Sequence, residues 1–259
     1  MPVASEYQHG DPCWFELGTN DQDGAKQFYT QLFGWVVNDF PMGENQFYSM
    51  FRTKDADVAA AYTLMPAQVS QGVPPHWMVY FAANNVDTSA ARVAELGGKV
   101  IAPPFDVMDV GRMAVCSDPG NAIFCLWQPK QHRGAGIYGE NNSVCWTELA
   151  TTDTSTAREF YKLLFGWETR TNVNLPTYVE FGSGGEYRGG LLQMDEQWEG
   201  VPPYWGIYFL VEDCDGTAAR AKMLGGSTKH GPIDAPGVGR IAVLADPQGA
   251  HFSVITLAM

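Results

Sequence analysis

Apolar and polar residues alternate in short runs, give way to a helical spacing, and then alternate again. Phe15, Leu17 and Thr19 interleave with Trp14, Glu16 and Gly18, a two-residue period that predicts a strand with one covered face. Asp21 is placed to cap a helix. Ala25, Phe28, Tyr29 and Leu32 follow at i, i+3, i+4 and i+7, a single apolar stripe. Gly34 stands where that helix should end. Strands are predicted around 47–51 and 58–64. The order then restarts with a strand at 77–83, a cap candidate at Asp87 and a helix to Leu96, stopped by Gly97-Gly98. A strand at 112–116, the turn Asp118-Pro119-Gly120-Asn121 and a strand at 123–127 follow.

The whole pattern occurs twice. WFELGTNDQDGAKQFYTQLFGW (14–35) returns as WTELATTDTSTAREFYKLLFGW (146–167), and VPPHWMVYF (73–81) returns as VPPYWGIYF (201–209). ELGGKV (95–100) returns as MLGGST (223–228), and GRMAVCSDPGNAIF (111–124) as GRIAVLADPQGAHF (239–252). Two homologous domains are therefore expected, 1–130 and 144–259, joined by a polar, Gly-containing linker at 131–143. Each reads as β-α-β-β-β twice, about four modules in all. The expected class is α+β, with mostly antiparallel strands and helices on one face.

Composition narrows the picture further. The chain has 259 residues, 45% of them hydrophobic and 17% charged, which is ordinary for a globular protein. No apolar run is long enough for a membrane span, and the N-terminal stretch lacks the basic and apolar blocks of a secretory leader, so a cytoplasmic protein is expected. The formal net charge of −13, with no Lys/Arg cluster, argues against a nucleic-acid partner. The five cysteines, an odd number without CxxC spacing, argue against a disulfide framework and a structural zinc site.

The module order, with FY…LFGW, LGG and DPxG at these spacings, resembles the vicinal oxygen chelate superfamily. That superfamily includes glyoxalase I, bleomycin-resistance proteins, fosfomycin-resistance enzymes and extradiol dioxygenases. The resemblance covers nearly the whole chain and is nearest to tandem glyoxalase-like proteins. It implies paired modules forming U-shaped sheets around clefts, in which a divalent metal chelates vicinal oxygens of a substrate. It also implies ligand positions, and here these hold Trp14 and Trp146 on the first strands, Met78 and Gly206 on the middle strands, and Cys125 and Ser253 on the last. Indole and thioether are not ligands for such ions. No metal is expected at the usual position. A divalent ion is expected only at a non-standard set drawn from Glu16, Glu148, His76 and His251.

Alternation along the strands assigns faces. Pairing across the Asp118-Pro119-Gly120-Asn121 turn sets Ala114 opposite Cys125 and Arg112 opposite Trp127, which gives these residues and Cys116 to the cleft. The second half gives Arg240, Ala242, Leu244, His251, Ser253 and Ile255. Trp14, Glu16, Trp146 and Glu148 take the cleft side of the first strands, and Tyr80 and Tyr208 that of the middle strands. Each cleft thus gains a Glu, an Arg, a Tyr and a Trp, which is the composition of a small-molecule site. Glu16 and Glu148 are candidate proton-transfer groups, because desolvation moves a carboxyl toward neutrality. Arg112 and Arg240 are candidate clamps for a carboxylate or oxyanion. His251, without a histidine in the first half, is a further catalytic candidate. Trp14, Trp127, Trp146, Tyr80, Tyr208, Cys125 and Ser253 are candidate substrate contacts. The same residues admit a structural reading, in which Glu16–Arg112 and Glu148–Arg240 are internal ion pairs and Trp14 and Trp146 plug the emptied metal position.

Three functions follow. The first is a glyoxalase-like lyase, isomerase or oxygenase acting on an oxygen-rich small molecule. The second is a metal-free binding protein of the bleomycin-resistance kind, and the third a catalytically silent scaffold. A monomer or homodimer is expected, since four modules already sit in one chain.

Overall fold

The computed structural model describes residues 7–44, 46–173 and 175–258. The first half runs β1 (Pro12–Thr19), α1 (Gln22–Phe33), β2 (Val36–Gly43), β3 (Gln46–Thr53), β4 (Ala56–Thr63), a short α2 (Pro66–Ser70), β5 (His76–Ala82), α3 (Val86–Glu95), β6 (Lys99–Val107), β7 (Gly111–Ser117) and β8 (Ile123–Pro129). The second half runs β9 (Val144–Thr151), α4 (Thr154–Phe165), β10 (Glu168–Thr171), β11 (Tyr178–Ser183), β12 (Glu186–Gln193), a 3-10 turn (Glu196–Trp198), β13 (Tyr204–Leu210), α5 (Cys214–Met223), β14 (Ser227–Ala235), β15 (Gly239–Ala245) and β16 (His251–Leu257). The N-terminal stretch read for a leader includes residues 1–6, which lie outside the described residues. No helix among the described residues is long and apolar enough to cross a membrane.

Each half closes into one eight-stranded sheet, in the orders β2-β3-β4-β1-β5-β8-β7-β6 and β10-β11-β12-β9-β13-β16-β15-β14. Modules therefore pair within a half, through β1 antiparallel to β5 and β9 antiparallel to β13. The sheets are mixed rather than purely antiparallel: β1–β4, β5–β8, β9–β12 and β13–β16 run parallel. The outer strands β2 and β6 lie mostly exposed, and β6 carries Pro103 and Pro104, which an edge strand tolerates because it need not donate on both sides.

Local chemistry sets the helices. The Asp21 carboxylate accepts from Gly24 N at 2.9 Å, and Gly34 ends α1 in the left-handed region at φ 70°, where glycine carries no steric cost. Asp153 and Gly166 do the same for α4. The cap of α3 is Asn85 rather than Asp87, which leaves the Asp87 side chain free to engage β7.

The faces opposite the clefts pack against helices and against the other half. Tyr29 on α1 donates to Asp246 in the second half's DPxG turn at 3.0 Å, while Trp77 Nε1 donates to the Tyr29 hydroxyl at 3.0 Å. The reciprocal set is Tyr161 to Asp118 at 3.2 Å and Trp205 Nε1 to Tyr161 at 3.0 Å. Around them Phe33 meets Phe209 at 4.8 Å and Phe165 meets Phe81 at 5.3 Å. Trp35 Nε1 donates to Asn142 O and Trp167 Nε1 to Gly10 O, each across the halves. The repeated FY…LFGW motif is thus spent on the contact between halves. All five cysteines are free.

Tyr29→Phe removes a bond from a buried aspartate and the acceptor of a buried indole. It should lower the unfolding free energy by about 1–3 kcal/mol, read from urea denaturation. A loss within error would mean that the bonds to Asp246 contribute nothing net.

Candidate functional site

The repeated glutamates lie on the cleft faces, each at the centre of a short hydrogen-bonded chain. In the second half Tyr178 donates to Glu148 Oε2 and Tyr208 to Oε1, both at 2.8 Å, and Trp146 Nε1 donates to the Tyr178 hydroxyl at 2.8 Å. In the first half Tyr80 donates to Glu16 Oε2 at 2.5 Å, Tyr48 bonds the same carboxylate, and Trp14 Nε1 donates to Tyr48 at 2.9 Å. Burial pushes both carboxyls up, and the tyrosine hydrogen bonds pull them part of the way back. The tyrosines themselves are pushed well above the ordinary phenol range by burial and by the neighbouring carboxylate, so they remain donors.

Tyr48 and Tyr178 were not read from the sequence as site residues. The signal was present: both halves keep a tyrosine three residues before a core phenylalanine, Tyr48/Phe51 and Tyr178/Phe181. Their reach depends on the residue beneath. At Gly190 a Cβ would come within 2.1 Å of the Tyr178 ring, so this glycine lets the phenol lie over β12 toward Glu148.

The expected faces of β7 and β15 are corrected. Arg112 and Arg240 are not in the clefts. Asp118 N donates to Ala122 O, closing the hairpin on Ser117 and Ile123, so Val115 rather than Ala114 faces Cys125 and Met113 faces Trp127. A slip of one residue turns β7 over. Arg112 therefore bonds Asp87 on α3 at 2.7 and 2.8 Å, with Asp106 at 3.4 Å, and Arg240 bonds Asp215 on α5 and Asp234 on β14. The ion pairs Glu16–Arg112 and Glu148–Arg240 do not exist. Cys116 and Ala114, and in the second half Ala242 and Leu244, are likewise on the helix-covered face rather than in the cleft.

The other candidates lie on the cleft faces. Cys125 pairs with Tyr80, Trp127 with Ala82, and Ser253 with Tyr208. Trp14 is buried, while its counterpart Trp146 is half-buried. His251 opens β16, exposed, and the hydrogen bonds of Glu148 come from tyrosines instead. His76 pairs with Gly18, and its Nδ1 lies 2.8 Å from Pro74 O.

The two clefts differ along the row that crosses each glutamate. The first reads Met50–Ala60–Glu16–Met78, and the second Glu180–Gly190–Glu148–Gly206. At Gly206 a Cβ would meet only ordinary contacts, 3.5 Å from Tyr204 and 3.8 Å from Glu148 O, so the glycine leaves open the space that Met78 fills in the first half. Glu180 is buried and accepts from Arg170 at 2.5 and 2.6 Å and from Asn172 at 2.6 Å, and the Arg170 guanidinium lies 3.9 Å above the Tyr187 ring. Tyr204 on β13 lies 6.4 Å from Trp198 and near Glu148, whereas in the first half Tyr62 on β4 stands near Glu16.

The family model of the Glyoxalase/Bleomycin resistance protein/Dioxygenase superfamily matches residues 13–126 and 143–254. The chain belongs to this superfamily. It is 41% identical over 259 residues, 98% of each chain, to a Mycobacterium bovis protein provisionally named glyoxylase CFP32. It is 37% identical over 280 residues, 98% of this chain and 95% of the other, to the anthracycline biosynthesis protein DauV of a Streptomyces strain. Among solved structures, the 2,3-dioxygenase LapB of Pseudomonas sp. KL28 aligns with a TM-score of 0.67 at 12% identity, covering 97% of this chain and 94% of that one. The Mn(II)-bound glyoxalase of Novosphingobium aromaticivorans aligns with a TM-score of 0.66 at 17% identity, covering 95% and 82%. At these identities the likeness establishes the fold alone.

The superfamily implies a divalent metal, and the donors present do not fit one. The usual positions carry indole, thioether, a Cys125 thiol that burial pushes well up, and a serine hydroxyl. Both oxygens of Glu148 already accept phenol protons. Among the described residues no group of three or more His, Cys, Asp or Glu side chains is arranged to hold a metal ion.

Because the native Glu148 pKa is raised, the folded state holds that proton more tightly than the unfolded chain does. The resulting stability is complete in acid and is lost as pH rises from the ordinary glutamate range through the native value. The stability of the wild type minus that of Glu148→Gln should therefore fall with rising pH in urea titrations. A flat difference would mean that the carboxyl is not desolvated.

Proposed function

We propose that the chain is a small-molecule protein whose working site is the second cleft. There Glu148 transfers a proton in a metal-independent reaction of the lyase or isomerase kind on an oxygen-rich ligand. The observation that carries this reading is the half-buried Glu148, raised in pKa and held between Tyr178 and Tyr208 with glycines on both sides. A general acid or base works best when its pKa approaches the working pH, and burial moves Glu148 in that direction. The two phenols hold the carboxyl in one orientation and can polarise a ligand oxygen that displaces either hydroxyl. Trp146, Tyr204 and Trp198 offer aromatic surface for a planar molecule. Two Streptomyces relatives are named for anthracycline biosynthesis, and a planar oxygenated ring system suits such a cleft. The protein is expected to work in the cytoplasm as a monomer or homodimer, without nucleic acid or membrane.

One observation favours a second reading, binding without turnover: both oxygens of Glu148 already have phenol partners, as a purely structural carboxyl would.

Two variants separate these readings. A panel of planar hydroxylated aromatics and hydroxy-ketones is screened by thermal shift, and the hits are assayed for product. Glu148→Gln should keep ligand-induced stabilisation and lose turnover by about 10²–10⁴-fold. Stabilisation without any turnover in the wild type would leave the binding reading. Gly206→Met installs the side chain that the first cleft carries at this position. It should abolish ligand stabilisation while leaving the melting temperature of the free protein close to wild type. Undiminished binding in that variant would move the site away from the second cleft.

A further inference from the structure

The first cleft is crossed by residues 130–136, on the path from β8 toward the second half. Lys130 N and His132 N both donate to Val110 O, at 3.1 and 3.0 Å, Ala135 N donates to Cys13 O at 2.7 Å, and Gly136 N to Asp57 O at 2.7 Å. The Tyr7 hydroxyl donates to Ala135 O at 2.7 Å. Gly134, at φ 114°, lies so close to β1 that a Cβ would fall 2.4 Å from Cys13 O. The stretch expected as a plain linker is therefore a strap, sewn to the first sheet through its main chain.

From this strap the His132 ring reaches two tryptophans of the cleft face. It meets Trp14 edge-on, with centroids 4.3 Å apart and planes at 83°, and Trp127 at 5.8 Å and 68°. Trp127 Nε1 donates to the His132 carbonyl at 3.0 Å, not to the ring. Among the described residues, the buried His132 Nε2 has no hydrogen-bond partner. Burial pushes the imidazole pKa down, against the pull of Asp57, so the ring is neutral. The strap is thus held by backbone bonds, while the ring is held at Nε2 by contact alone. A buried polar atom without a partner normally calls for an explanation. Here the ring supplied by the strap sits edge-on between the two indoles.

We propose that the first cleft is closed from within the chain: the His132 ring occupies a slot between Trp14 and Trp127 that is shaped for a small planar heteroaromatic ring. An external ligand reaches that slot only when the His132 ring is withdrawn. The proposal does not depend on the second cleft.

Imidazole is the probe. His132→Gly should fold, by circular dichroism, with a lowered melting temperature. Imidazole should raise that temperature in a saturable way and change the tryptophan fluorescence, as expected for a ligand that binds only the native state. The wild type should show neither response. A folded His132→Gly protein indifferent to imidazole would overturn the proposal, as would a wild type that responds equally. His132→Phe tests the slot without emptying it. Phenylalanine keeps a ring between the indoles, and Nε2 has no bond to lose, so this variant should melt at or above the wild-type temperature and ignore imidazole. A markedly lower melting temperature would mean that the site needs the imidazole's polar atom, and the ring-slot proposal would fail.

Discussion

Two buried aspartates hold this molecule in its shape. Asp118 and Asp246 sit at the hairpin turns of opposite halves, and each accepts a tyrosine hydroxyl from the leading helix of the other half. Each also takes backbone donors of its own turn, Ala122 N for Asp118 and Ala250 N for Asp246. A buried carboxylate is costly unless its lone pairs are occupied. The turn and the helix of the other half together occupy them, so the hairpin and the docking of the halves are coupled. Burial nevertheless raises both carboxyls, and the hydrogen bonds offset only part of that cost. With helices and aromatic faces committed to this contact, the opposite face of each sheet is left to form a cleft.

Duplication explains why the clefts share a Trp–Tyr–Glu–Tyr chain, and the residues beside that chain explain why they need not share a task. Around Glu16 the row is filled by Met50 and Met78, and the strap adds His132. Around Glu148 the corresponding positions hold a polar Glu180 paired with Arg170, and Gly206 leaves the space open. Retaining the buried chain in both halves preserves hydrogen-bond satisfaction in each. Changing the neighbours alters access without disturbing that satisfaction. The halves therefore differ where a ligand would be felt and agree where the fold would fail.

Much of this was legible along the chain. The repeats, the Asp21 cap, the Gly34 stop and the alternation of β1, β5 and β8 put Glu16, Tyr80, Cys125 and Trp127 on one face, as they are found. Arg112 was lost to a single residue of register: the turn closes one position away from the expected pairing, and with a period of two that is enough to reverse a strand. Asp87, expected as a cap, is instead the partner that holds Arg112 on the helix side. The tyrosine partners of the glutamates come from 30 and 60 residues away, Tyr178 and Tyr208 to Glu148, a proximity that only the sheet order creates. The His132 strap has no repeat counterpart and no period, so nothing local marked it.

A carboxylate held by phenols can do other chemistry than one held by a metal ion. A divalent ion holds charge in place and binds oxygens by coordination, and it keeps its ligands deprotonated. A glutamate between two tyrosines is a group whose charge is opposed by burial and supported by neutral donors, so its proton is exchangeable rather than excluded. Trp146 donates into the same chain from behind Tyr178, and the Ser253 side chain bonds the Tyr208 hydroxyl, so both phenols are oriented toward the carboxyl. In the proposed reaction a ligand oxygen displaces one phenol and exchanges its proton directly with Glu148. Gly206 leaves space beside Glu148 that Met78 takes up beside Glu16 in the first cleft.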